Sequence, residues 1–208
     1  MNMIVHDDGH TNVVAGNALK PIRQFMEQNA GFKPASFDLI LTNPPFGATA
    51  KDVDMPTLKD EFELFNKEDA KGKRKPLKQQ KSEILFLERI CQFLKPGSGR
   101  AAVVVPDGIL TNSSLQSVRD WLLAHFQVLA VVSLPQFAFA HYGAGVKASL
   151  LFLRKLDGDE VVADDTPIFM ALAEKIGYDA TGRHTANELP DILDQYRQFE
   201  RDAEPFFV

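Results

Sequence analysis

Only one cysteine, Cys91, occurs in the 208 residues, which excludes an intrachain disulfide and any metal cage built from cysteines. Positive charge is also in short supply. The 23 Lys and Arg residues against 28 Asp and Glu give a formal charge of -5, the reverse of a chain that grips nucleic acid by its own overall charge. Contact with DNA would therefore need a local basic patch or a partner. No apolar run approaches the roughly 18 residues needed to cross a bilayer, and the opening MNMIVHDDGH has neither the basic nor the apolar segment of a signal peptide. A cytoplasmic protein without membrane contact is expected. What remains is 45% hydrophobic and 25% charged, ordinary for one soluble domain plus an extension. Cys91 itself lies in the apolar stretch ILFLERICQFL and reads as a core thiol, with no metal-ligating or catalytic role.

Short β-rich runs alternate with amphipathic segments and no internal repeat is visible, which predicts an α/β sheet with helices on both faces. A first short strand is expected at residues 12–15, NVVA, followed by a helix in which Ile22, Phe25 and Met26 share a face and which Gly31 ends. FDLILT, residues 37–42, is apolar on both faces and is expected to be a central strand. Residues 51–81 are charged and poor in β-branched side chains, with basic residues at Lys71, Lys73, Arg74, Lys75, Lys78 and Lys81. A loop of that length is either a solvated insertion or a surface for phosphates. From Ser82 a serine-capped helix should run to about Leu94 and stop at Pro96 and Gly97, with a strand at 100–106 and a helix at about 113–126 beyond it. VLAVVSLP and VKASLLFLRK then leave no room for a helix between them, so they should form an antiparallel hairpin at one edge of the sheet. After Lys155 the chain turns acidic, and Leu189, Ile192, Leu193, Tyr196 and Phe199 fall at helical spacing.

The stretch that carries chemistry is Asn43-Pro44-Pro45-Phe46, at the carboxyl end of FDLILT. Each proline fixes its own φ and pushes the preceding residue into an extended conformation, so the turn is stiff without ladder hydrogen bonds. Neither proline donates, which leaves the Asn43 amide oxygen and the Pro44 carbonyl as fixed acceptors where open α/β sheets bind ligands. An exocyclic nucleobase amine suits such a pair. Its lone pair is delocalised into the ring until both hydrogens are held, and Phe46 would stack on the ring once the base has left the duplex. The plainer alternative is that NPP merely terminates a strand.

FDLILTNPPFG, LKPGSGRAAVVVPDGIL, VRDWLL, VVSLPQFAFAHYGAGVKASLLFL and IFMALAEKIGYDATGR, taken in order, resemble the N6-adenine DNA methylase subunit of type I restriction-modification systems. The resemblance covers nearly the whole chain. It implies an incomplete Rossmann-like class I methyltransferase sheet with a C-terminal antiparallel hairpin and a mostly helical extension. Residues 1–155 would be a partial S-adenosylmethionine-dependent domain, and residues 156–208 a helical, partner-contacting tail. The implied target is adenine N6 in double-stranded DNA. Implied partners are a specificity subunit, a second methylase subunit and a restriction subunit. By position, Asn43, Pro44, Pro45 and Phe46 match the catalytic motif. Gly16, Asn17 and Leu19, together with Asn43, match cofactor-side positions, while Phe46, Phe137, Phe139 and Tyr142 are candidates for the target-base pocket. Lys71, Lys73, Arg74, Lys75 and Lys78 are candidates for DNA backbone contact.

One departure stands out. GSG at Gly97 precedes a strand and GAG at Gly143 lies in the hairpin loop, so neither is the glycine-rich loop that follows the first strand in such enzymes. The expectation is a C-terminal part of a methylase subunit with half of the cofactor site, whose exposed sheet edge pairs with another chain or with its own N-terminal segment. Two other readings stay open: a binding or assembly module acting through the acidic tail, and methylation of a protein glutamine or an RNA base.

Overall fold

The computed structural model describes residues 13–51, 53–68, 73–140 and 145–203. In chain order, helix α1 (Ile22–Gln28) leads to strand β1 (Leu39–Thr42) and β2 (Thr49–Lys51). Next come a one-turn helix α2 (Leu58–Glu61), a 3-10 turn (Glu63–Phe65), and strands β3 (Asn66–Glu68), β4 (Arg74–Pro76) and β5 (Gln79–Lys81). Helix α3 (Ser82–Phe93), β6 (Arg100–Pro106), α4 (Asp107–Thr111), α5 (Gln116–His125) and β7 (Phe126–Ser133) follow. The chain continues through β8 (Ala148–Lys155), β9 (Phe169–Leu172), β10 (Ile176–Tyr178), β11 (His184–Asn187) and α6 (Leu189–Asp202).

The main sheet has the order β1-β6-β8-β7-β9. Strands β1 and β6 are parallel, β8 runs antiparallel to both β6 and β7, and β9 is parallel to β7. Four of the five strands thus point the same way, and β8 alone is reversed. Alternation along β8 explains its place: Leu151 and Leu153 face one core, Leu150 and Phe152 the other. On the first face α3 and α5 press Ile84, Leu87, Ile90, Val118 and Leu122 against Ala101, Val103 and Val105. On the second, α6 lays Ile192 over Val132, Phe152 and Phe169. Cys91 is buried with the first group, as its apolar surroundings predict, and burial pushes its thiol pKa up to about 11.

Several expectations need correction. Residues 13–15 are not a strand, and Val13 is exposed, because a strand forms only where a neighbour completes its ladder. Among the described residues FDLILT is an edge strand, not a central one: β1 has β6 on one side and no described strand on the other; Leu39 and Leu41, which share one sheet face, are exposed. The hairpin β7–β8 forms, but β9 lies outside β7, and β8 is inserted between β6 and β7. The extension is less helical than expected, since β9 and the β10–β11 pair precede its single helix. The stretch 51–81 is not a structureless loop. It pairs β2 with β5 and β3 with β4, and it has its own core of Leu58, Phe62 and Phe65 against Leu85 of α3. The spacing of Leu58, Phe62 and Phe65 puts three apolar side chains on one side of a short helical path. No helix among the described residues is long and apolar enough to cross a membrane.

Candidate active site

The ladder between β1 and β6 ends at the pair Thr42 and Val103, where the two prolines remove the next backbone donors. The turn then leaves the sheet with Asn43 exposed, Pro44 buried, Pro45 exposed and Phe46 half-buried. Gly47 follows at φ +73, a left-handed conformation that favours glycine. The exit of the turn is held by α3: Ser82 Oγ donates to the Pro45 carbonyl at 3.1 Å, and Ser82 N donates to the Ala48 carbonyl at 2.9 Å. Among the described residues, no donor is bonded to the Asn43 side-chain oxygen or to the Pro44 carbonyl. Asn43 is exposed and lines a cavity against the sheet face, whereas Pro44 is buried. The expectation of a serine cap on α3 is thereby replaced. Lys81 is the residue before the helix, it offers no side-chain cap, and the Ser82 hydroxyl serves the turn.

Two cavities of about 340 Å3 each flank the turn. One lies against the sheet face and is lined by Leu41, Thr42, Asn43, Ala102, Val104 and Phe152, among others. The other lies behind Pro45 and includes Asn17, Leu19, Met55, Ser82 and Phe86 in its walls. Two of the cofactor-side positions, Asn17 and Leu19, therefore share a cavity with Pro45, although they are 26 or more residues distant in sequence from it. Asn17 Oδ1 accepts from Leu19 N at 3.0 Å, closing a small turn, and Asn17 Nδ2 faces Met55 Sδ at 3.7 Å. Gly16 is not in that wall. A Cβ there would stand 3.2 Å from the Phe25 ring, so its place in the loop reflects close packing on α1.

The loop that carries Asn17 is tied down by a buried guanidinium. Arg89 Nη2 donates to the Lys20 carbonyl at 2.8 Å, with Glu61 Oε2 at 3.9 Å and the Phe62 ring 4.7 Å beneath. Burial draws the Arg89 pKa down to about 10, against the pull of Glu61 and Glu88. Its Nε and Nη1 atoms are buried without a hydrogen-bond partner among the described residues.

Of the aromatic candidates, Phe139 meets Phe46 edge to face at 6.1 Å between centroids, joining the loop after β7 to the turn after β1. Phe137 packs on the second core with Phe139 beside it. Tyr142 lies outside the described residues, as does Lys71. Lys73, Arg74, Lys75 and Lys78 are all exposed on and beside β4. Arg74 also reaches Glu63 at 3.3 Å, and the β3–β4 register sets Lys67 directly opposite Lys75. At the end of β6, Asp107 Oδ1 accepts from Ser149 Oγ at 2.7 Å and Lys147 Nζ stands 3.7 Å from its Oδ2. Among the described residues no group of three or more His, Cys, Asp or Glu side chains gathers as a metal site.

Reading the sequence missed Ser82, Met55, Phe86 and Arg89. Phe86 and Arg89 fall in a run that reads as core, and nothing local says that one would line a cavity and the other anchor a loop. Met55 belongs to the stretch taken for a loop.

Comparison with known proteins adds what geometry alone does not. The model of the family described as N-6 DNA Methylase matches residues 1–207. The type I restriction enzyme EcoEI methylase subunit of Escherichia coli is 32% identical over 153 residues, which is 70% of this chain and 27% of that protein. The StySPI methylase subunit of Salmonella potsdam is 29% identical over 157 residues, 74% of this chain and 25% of that protein. The chain thus spans about a quarter of the length of these curated relatives. Among solved structures, the type I restriction-modification methyltransferase subunit of Streptococcus thermophilus superposes with a TM-score of 0.62 at 22% identity, over 94% of this chain and 38% of that one. The EcoKI M protein gives 0.56 at 23% identity, over 96% and 36%. Likenesses at that identity carry the fold: an α/β methyltransferase sheet.

Proposed function

The chain belongs to the N-6 DNA methylase family, and on that premise we propose that it carries the amine-accepting half of a methyltransferase acting on adenine N6 in double-stranded DNA. The observation that carries this reading is the turn itself: a side-chain oxygen and a carbonyl oxygen on a two-proline support, neither engaged by a described donor, at the carboxyl end of β1. The two oxygens accept the two hydrogens of the adenine amine and draw its nitrogen lone pair out of conjugation with the ring. Phe46, held edge-on by Phe139, stacks on the extruded base.

S-adenosylmethionine supplies the electrophilic methyl group when bound. The residues present suit its purine end. Leu19, Phe86 and Met55 offer apolar walls and Asn17 a side-chain amide in the cavity behind Pro45, which is the mix a flat, hydrogen-bonding ring requires. Arg89 keeps the Asn17 loop in place through Lys20. Asn43 and the neighbouring Pro45 bring the cofactor side and the target side of the site within one turn.

Duplex contact is assigned to the basic hairpin around Lys73, Arg74, Lys75 and Lys78. The register sets Lys67 directly opposite Lys75, so the two cations lie on one face of the hairpin, where phosphates could meet both. With a net charge of -5, the rest of the DNA grip falls to partners, as in the type I complexes to which the relatives belong. A specificity subunit, a second methylase subunit and a restriction subunit are the proposed assembly, and the outer edge of β1 is the place where a further strand adds to the sheet.

The test is methyl transfer by an assembly in which this chain is joined by the remainder of a methylase subunit and a sequence-reading partner. Asn43→Ala is expected to lower the single-turnover rate by roughly 10²-fold or more. A rate within a few-fold of the parent would remove Asn43 from the chemistry.

A further inference from the structure

The turn has a weak point in its covalent design. Proline at 44 restrains the backbone of Asn43, and proline at 45 restrains that of Pro44. The ψ of Pro45 is therefore the first torsion of the turn that no proline controls, and it sets the direction in which Phe46 leaves. A left-handed glycine follows at 47 and adds freedom instead of removing it. Rotation at this one bond would swing Phe46 away from Phe139 while leaving Asn43 in place.

We propose that Ser82 is a positioning residue for the site, locking the Pro45 carbonyl so that Phe46 keeps its aim. Its hydroxyl reaches that carbonyl at 3.1 Å, and its N–H holds the Ala48 carbonyl at 2.9 Å. The two bonds, on Pro45 and Ala48, bracket Phe46 and Gly47. Ser82 is itself 4% exposed, so water does not compete for the hydroxyl. Glu83 Oε2, at 3.4 Å, is the more distant acceptor for the same proton. The support is rigid because α3 is anchored on both sides, by Ile84 and Leu87 in the sheet core and by Leu85 against Phe62 and Phe65. The hydroxyl thus does for Pro45 what the second proline does for Pro44.

This inference rests on the methyl-transfer reading, and two measurements separate its failure from the failure of that reading. In the assembled methylase at saturating cofactor, Ser82→Ala is expected to lower the single-turnover rate about tenfold, the order of one lost hydrogen bond. Ser82→Thr, with its melting temperature checked against the parent, returns the hydroxyl and the rate. In the chain alone, Ser82→Ala should shift or broaden the amide resonances of Phe46 and Gly47 while those of β6 stay put. A parent rate in Ser82→Ala, a fall that saturating cofactor abolishes, or unmoved Phe46 and Gly47 resonances would each overturn the proposal. An assembly with no methyl transfer, or one in which Asn43→Ala is silent, would instead sink the functional reading, and the resonances would still decide the role of Ser82.

Discussion

Glu88 is buried in α3, yet its carboxylate accepts backbone N–H bonds from Glu63 at 2.6 Å and Leu64 at 2.9 Å, tying the 3-10 turn to the helix. Burial raises its pKa above the ordinary 4.5, and the two hydrogen bonds oppose that rise without cancelling it. A carboxyl that binds its proton more tightly in the folded chain adds stability that is complete below the unfolded value and is lost as pH rises through the folded one. Glu88→Gln keeps one acceptor and does not titrate. The unfolding free energy of the parent minus that of Glu88→Gln should therefore grow as pH falls from 7 to 5, measured by urea unfolding at both values. An identical difference at the two pH values would mean that Glu88 is unperturbed. Glycines give a second contrast at this scale. A Cβ on Gly99 would stand 2.7 Å from the Lys95 carbonyl oxygen and 2.8 Å from Lys95 N, both backbone atoms, whereas a Cβ on Gly47 meets nothing within 4 Å. Gly99→Ala is expected to cost about 2 kcal/mol or more through the clash, and Gly47→Ala only about 1 to 2 kcal/mol through its left-handed φ. Thermal melts of the two variants check the order.

The element that most changes the picture drawn from the sequence is the excursion between β1 and α3. Phe65 is fully buried there with Leu58 and Phe62, and Gln80 Nε2 binds the Leu64 carbonyl at 2.8 Å across the excursion. Trp121 of α5 adds a tether by donating to Glu63 at 3.0 Å. Phe65→Ala should destabilise the chain by about 3 to 5 kcal/mol, read as a lower urea midpoint. A solvated loop would give almost no change. The strands β6, β7 and β8 were legible because each has seven or eight residues that are apolar on both faces. The strands of the excursion have three residues each, and Arg74, Lys75, Gln79 and Lys81 dominate two of them, so no period-2 hydrophobic pattern exists to be read. Strand β9 hid for a related reason. It has four residues on an edge, and Met170 and Leu172 are exposed. The site followed the same division. Asn43 to Phe46 announce themselves through covalent stiffness, which is local, whereas Ser82, Phe86 and Arg89 matter only through contacts that the fold brings about.

Charge is unevenly distributed along the chain. Beyond β8 the segment with Asp157, Asp159, Glu160, Asp164 and Asp165 is acidic, with Glu160 paired to Arg154 at 2.5 Å. The excursion beside the candidate site carries exposed Lys67, Lys73, Arg74, Lys75, Lys78 and Lys81, while its acidic residues, Asp52 to Asp69, lie ahead of all of these but Lys67 in the chain. A polyanion approaching this molecule is repelled by its total charge and attracted by local cations such as those of that hairpin, which should govern how binding there responds to salt. Each phosphate neutralised by a lysine contributes about 0.9 to the slope of log affinity against log salt. Replacing Lys73, Lys75 and Lys78 together by Gln in the assembled methylase should therefore lower the magnitude of that slope by about 2 to 3, with equal effect on specific and unrelated duplexes. If the triple variant keeps the parent slope, duplex DNA does not run along this hairpin.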